Sequence, residues 1–132
     1  MKSIEDAILS IMTNHPTAHY QGFLGETNHP LLTDCLNKDG FRVEVERAIS
    51  WFKHNPKVRI TKKPSNYAEL GTVKHCVEKW VNNTEHLGYI SRGAVLVAAE
   101  SLGIPYKKDK LFISKDTVSW PIFTERYPFT SA

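Results

Sequence analysis

The chain has 132 residues, 41% hydrophobic and 23% charged, with a formal net charge of +3. That length suits one domain spanning residues 1–132, able to bury a core without disulfide or metal staples, and the composition is that of an ordinary soluble globular protein. The longest apolar run, Ala94–Ala99, is far short of the roughly 20 residues that cross a bilayer, so no membrane partner is expected.

Ser3 opens the first predicted helix in the manner of a capping box, with Asp6 three residues on. Ile4, Ala7, Ile8, Ile11 and Met12 form one apolar stripe, and Pro16 ends the helix near Asn14 by disfavouring a helical His15. The same start has acidic residues where a secretion signal is basic and then apolar, so a cytoplasmic location is expected. Residues 15–30 carry two prolines, two glycines and three histidines without a period. They read as a long ordered loop, a type of segment that often carries function.

A short helix over about Leu31–Asn37 is expected to meet a turn at Asp39-Gly40. Phe41–His54 reads as a helix through Phe41, Val45, Ala48, Ile49 and Phe52, although Phe41, Val43 and Val45 also alternate as a strand would. Pro56 stops it. Val58–Thr61 is a strand candidate, and Pro64-Ser65-Asn66 breaks the chain again. From roughly Tyr67 to Val81 a helix places Leu70, Val73, Val77 and Trp80 on one side. Gly71 weakens that helix by up to about 1 kcal/mol relative to alanine, which calls for a packing reason or a helix start nearby.

Ser91 and Gly103 then bracket a helix that is apolar nearly all round, with Val95, Leu96, Val97, Ala98, Ala99 and Leu102. Ser91 is a good N-cap and Gly103 a good C′ residue, and a helix without a polar face belongs at the centre of a fold. Leu111-Phe112-Ile113 is a second strand candidate that pairs plausibly with Val58–Thr61. The tail from Ser119, with Trp120, Phe123, Tyr127 and Phe129, is expected to wrap the core irregularly. The expected class is α+β, mostly helical, with a sheet of two or three strands.

Charge is unevenly distributed. Residues 1–50 hold four basic against seven acidic side chains, and residues 51–132 hold thirteen against seven. Lys53, Lys57, Arg59, Lys62 and Lys63 make one cluster, and Lys107, Lys108, Lys110 and Lys115, opposed by Asp109, make a second. Such asymmetry points to an anionic partner. The sharpest candidate site joins Lys62, Lys63, Lys74, His75 and Arg92, with the amides of Gly93 and Ala94 at a helix N-terminus where unpaired donors favour negative charge. The bland alternative is a set of exposed cations, with Lys74 and Glu78 as an i,i+4 pair.

Other chemistry is poorly supported. His15 and His19 have a spacing seen in zinc sites, with His29 and Cys35 near in sequence, but Pro16 prevents the helix that would align them, and no metal or cofactor is expected. His75 and Cys76 point about 100° apart on a helix and cannot form an activated pair alone. Cys35 and Cys76 are expected to be free and buried. Asn82-Asn83-Thr84 matches a glycosylation sequon, of no consequence in a cytoplasmic chain. The helix pair around 71–82 and 91–102 suggests a helix-turn-helix, yet its second helix has almost nothing polar to offer base edges. Lysine contacts to a nucleic-acid backbone fit better.

Gly71-Thr72-Val73-Lys74-His75, followed by Gly88-Tyr89-Ile90-Ser91-Arg92-Gly93-Ala94 and the Val95–Ala99 run, resembles a group of small uncharacterised bacterial proteins carried on integron gene cassettes, plasmids and prophages. Those proteins show Tyr-Gly-Leu-Lys-His, then Tyr-Val-Ser-Asn-Gly-Ala, then an Ile-Ala-Ala-Ala helix ending in Gly-Phe. Here Thr72 is extra, Val73 replaces the leucine, Arg92 the asparagine and Ile104 the phenylalanine. The resemblance implies a mobile-element origin without implying an activity. The expected function is a non-enzymatic accessory protein binding an anionic partner such as nucleic acid. The alternatives are a small-molecule pocket under the 15–30 loop lined by Tyr20, Phe23 and the histidines, and a homo-oligomer, such as a homodimer, formed through the aromatic tail.

Overall fold

A helix with no polar face can be stable in water only if other elements cover it, and the arrangement of this protein follows from that requirement. The computed structural model describes residues 1–23, 28–55, 58–63, 65–81 and 88–114 in full, and the helical backbone of 82–85. Among the described residues five helices, α1 (Ile4–Asn14), α2 (Leu32–Cys35), α3 (Asp39–His54), α4 (Leu70–Glu85) and α5 (Arg92–Leu102), accompany three two-residue strands: β1 (Ala68–Glu69), β2 (Tyr106–Lys107) and β3 (Lys110–Leu111). The fold is mostly helical α+β. The expected aromatic tail lies outside the described residues.

α5 packs against α1, α3 and α4. Gly93 through Ala99 and Ser101 are buried, and each large aliphatic side chain removed from water there contributes roughly 1.5–3 kcal/mol. The covering helices supply Ile8 and Ile11 from α1, Phe41, Val45 and Trp51 from α3, and Val73, Val77 and Trp80 from α4. Both expected caps of α5 form. Ser91 Oγ accepts from Ala94 N at 3.0 Å, and Gly103 closes the helix at φ 76°, a conformation that costs glycine little. α1 begins as expected, with Ser3 accepting from Asp6 N. It ends at Asn14, and His15 ahead of Pro16 has left the helical region, at φ −138° and ψ 77°.

The start of the chain is tied to the end of α5. Lys2 N donates to Ser101 O at 2.9 Å, Ser101 Oγ donates back to Lys2 O, and Lys2 pairs with Glu100.

Three boundaries differ from the sequence reading. Asp39-Gly40 is the first turn of α3 rather than a separate turn, because Lys38 takes the extended N-cap position just before it. The helix expected from Tyr67 starts at Leu70, since Ala68 and Glu69 pair antiparallel with Leu111 and Lys110. The strand expected at Val58–Thr61 reduces to one bridge, Ile60 to Ile113, flanked by hydrogen bonds from Thr61 N to Phe112 O and from Ser114 N to Arg59 O. The sheet proper has the order β1-β3-β2, with β2 and β3 joined as a hairpin.

The closest backbone approach in the core is at Gly93. A Cβ there would stand 2.5 Å from Tyr20 O and 2.8 Å from His19 O. By contrast, a Cβ on Gly40 would meet nothing within 4 Å. Gly93→Ala is therefore expected to destabilise the fold by about 2–3 kcal/mol. Gly40→Ala, in the first turn of α3, should stabilise it by up to about 1 kcal/mol. Urea unfolding of the two variants side by side checks both signs.

Candidate functional site

Burying α5 leaves its first-turn amides away from water, and unpaired buried donors are costly. Gly93 N donates to Tyr20 O at 2.8 Å, Ala94 N is capped by Ser91, and Arg92 N faces Gln21 Oε1 at 3.5 Å. Two carboxylates hold the approach to the helix. Glu44 of α3 accepts from Ser91 N at 2.7 Å and from the Tyr20 hydroxyl at 2.7 Å. Glu78 of α4 accepts from Ile90 N at 2.9 Å. Burial and the bond to Glu44 push the Tyr20 hydroxyl well above its ordinary pKa. The amides of Gly93 and Ala94, expected to be open donors for an anion, are thus engaged within the protein.

The five expected site residues do not act alike. Lys74 is 5% exposed, with its ammonium 3.2 Å from Glu78 and 4.3 Å from the centre of the Tyr89 ring. Its charge is used inside the fold. His75, one residue on, is exposed and places Nδ1 3.2 Å from the same carboxylate. Arg92 lies over Gly71, where a Cβ would come within 2.8 Å of Nη2 and 3.0 Å of Nε, so Gly71 has the packing reason its helix position called for. Arg92 Nε is buried without a hydrogen-bond partner. Lys62 and Lys63 are exposed on the segment that pairs beside β3, while the other three belong to α4 and α5.

A different set of cations is brought together. The Ile60–Ile113 bridge and its two flanking hydrogen bonds join the two lysine clusters that the sequence keeps some fifty residues apart. Arg59, Lys62 and Lys63 then lie on a segment bridged to the chain just after the β2–β3 hairpin, which carries Lys107, Lys108 and Lys110, and all six are exposed. Among the described residues none of the six is in an ion pair. Lys110 Nζ lies 4.7 Å from the centre of the Tyr67 ring, which adds an aromatic surface to the cationic one. Glu69 and Asp109 are the acids on the same strands and turn. Sequence reasoning found both clusters and the pairing of their strands, but placed only Lys62 and Lys63 in the site.

The 15–23 loop borders a second feature, an open cleft of about 380 Å³ lined by Asn14, His15, Pro16, Thr17, His19, Phe23 and Lys108. Tyr20, expected among its walls, instead turns its hydroxyl to Glu44. No group of three or more His, Cys, Asp or Glu among the described residues is arranged to hold a metal. No helix among them is long and apolar enough to cross a membrane.

Comparison with known proteins returns no protein-family model, no curated protein and no solved structure that matches this chain.

Cys35 and Cys76 are both buried and not joined in a disulfide, and burial pushes each thiol up to about 11. A raised pKa keeps the neutral thiol dominant at all lower pH, so only about one molecule in a thousand is thiolate at pH 8. Both cysteines should therefore react with a disulfide reagent at pH 8 far more slowly in the native protein than in denaturant. The native rate should rise about tenfold per pH unit while the fold persists. Stopped-flow measurement of thiol release checks this, and an equal native and denatured rate would contradict it.

Proposed function

We propose that the protein is a non-catalytic nucleic-acid-binding accessory protein that grips the phosphate backbone with its basic sheet. The observation that carries this reading is that six exposed cations, none in an ion pair among the described residues, lie on the β2–β3 hairpin and on the segment bridged beside it, while the buried Lys74 is matched to Glu78. A backbone contact needs point charges on a fixed surface, and the sheet supplies them without any helix entering a groove. α5, the tempting recognition helix, is buried and takes no part. The buried, neutral thiols supply no nucleophile, which favours binding over catalysis. The resemblance to mobile-element proteins fits an accessory role.

Titration of labelled duplex and single-stranded DNA across salt concentrations tests the reading. If most of the six cations contact phosphates, log affinity should fall with log salt at a slope of about −3 to −5 on duplex DNA. Lys62→Glu with Lys63→Glu should flatten that slope by about 2. Lys38→Glu, on an exposed cation ahead of α3, should leave it nearly unchanged. Absence of binding at low salt would refute the proposal.

A further inference from the structure

The cleft beside the 15–23 loop has a chemistry of its own and shares only Lys108 with the basic surface. We propose that it binds a small planar anion, an aromatic ring carrying a carboxylate. Its volume of about 380 Å³ lies at the small end of ligand sites, enough for one ring and its substituent. The walls are rich in rings. Phe23 meets His15 edge to face, with centroids 4.9 Å apart and planes at 66°. His19 adds a third ring to the lining, and Tyr106, outside it, stands 6.3 Å from His15. Such surfaces favour a flat, polarisable guest in offset or edge-on contact.

The polar groups select its charge. Lys108, Asn14 and Thr17 are the polar side chains among the described lining residues apart from the two histidines, and Lys108 is the one that carries a fixed charge. A carboxylate can draw on that cation and on neutral donors beside it. The main chain of Lys108 sits at φ 53°, in the left-handed region that ordinarily goes to glycine at such a turn. A residue kept there against its preference fits a side chain that has a use. The loop wall is also fixed in advance. Gln21 N donates to His19 Nδ1 at 3.1 Å, which leaves that ring's proton on Nε2. The carbonyls of His19 and Tyr20 lie against Gly93. A wall already held in place loses little freedom on binding.

The probes are benzoate, benzamide and inorganic phosphate, followed by the NMR signals of the His15 and His19 rings. Benzoate should shift them saturably, with benzamide and phosphate each at least about tenfold weaker, because one lacks the charge and the other the ring. Lys108→Gly removes the ammonium at a position glycine prefers, so it should weaken benzoate about tenfold without lowering the melting temperature. Lys62→Glu with Lys63→Glu should leave benzoate binding intact, which separates this site from the DNA-binding surface. Equal binding of benzamide, unchanged affinity in Lys108→Gly, or shifts confined to Lys62 and Lys63 would each overturn the proposal.

Discussion

The sealing of the first turn of α5 is the constraint on which the rest depends. An apolar helix drives its own burial, yet burial strands the amides of its first turn, and each must find an acceptor inside the protein. Ser91 Oγ and the backbone of Tyr20 take the amides of Ala94 and Gly93, and just ahead of the helix the carboxylates of Glu44 and Glu78 take those of Ser91 and Ile90. The 15–23 loop, α3 and α4 are thereby held at one point, with Gly93 permitting the closest of these approaches. Lys74 and His75 then converge on Glu78, and Tyr20 on Glu44. The polar groups around this turn serve the fold first.

That allocation explains why chemistry is displaced to the periphery. The buried Lys74 is matched to Glu78, and desolvation makes an unmatched charge expensive. The exposed lysines of the β2–β3 hairpin stay in water and bear no such burden. The cleft behind the hairpin shares this freedom. Lys108 stands at the hairpin turn, contributing to the sheet's charge on one hand and to the lining of the cleft on the other.

Helices with strong local signals were legible in the sequence. Ser3, Pro16, Ser91 and Gly103 act through their own backbone preferences, and α1 and α5 fall where those residues place them. Two features set by distant partners were not. Ala68 and Glu69 carry no strand period, and only pairing with β3 removes them from the helix that follows. Lys74 shows its i,i+4 partner Glu78 in sequence, but its depth depends on Tyr89 closing over the ammonium. The basic sheet was half legible. The strand candidates at Val58–Thr61 and Leu111–Ile113 were expected to pair, but what that pairing does to the lysines beside them was not drawn out, and helix-terminus reasoning turned instead to Arg92 and to amides that are already engaged.

The position of α5 also bears on how the chain is made. Its principal neighbours, α1, α3 and α4, all precede it in sequence, and the pair Lys2 and Ser101 ties the start of the chain to the last turn of α5. During synthesis the earlier helices emerge with their apolar faces complete but without the element that fills the space between them. The ribosome delivers the keystone after the arch, so the exposed faces of a partly made chain must wait for residues 92–102 before they can close.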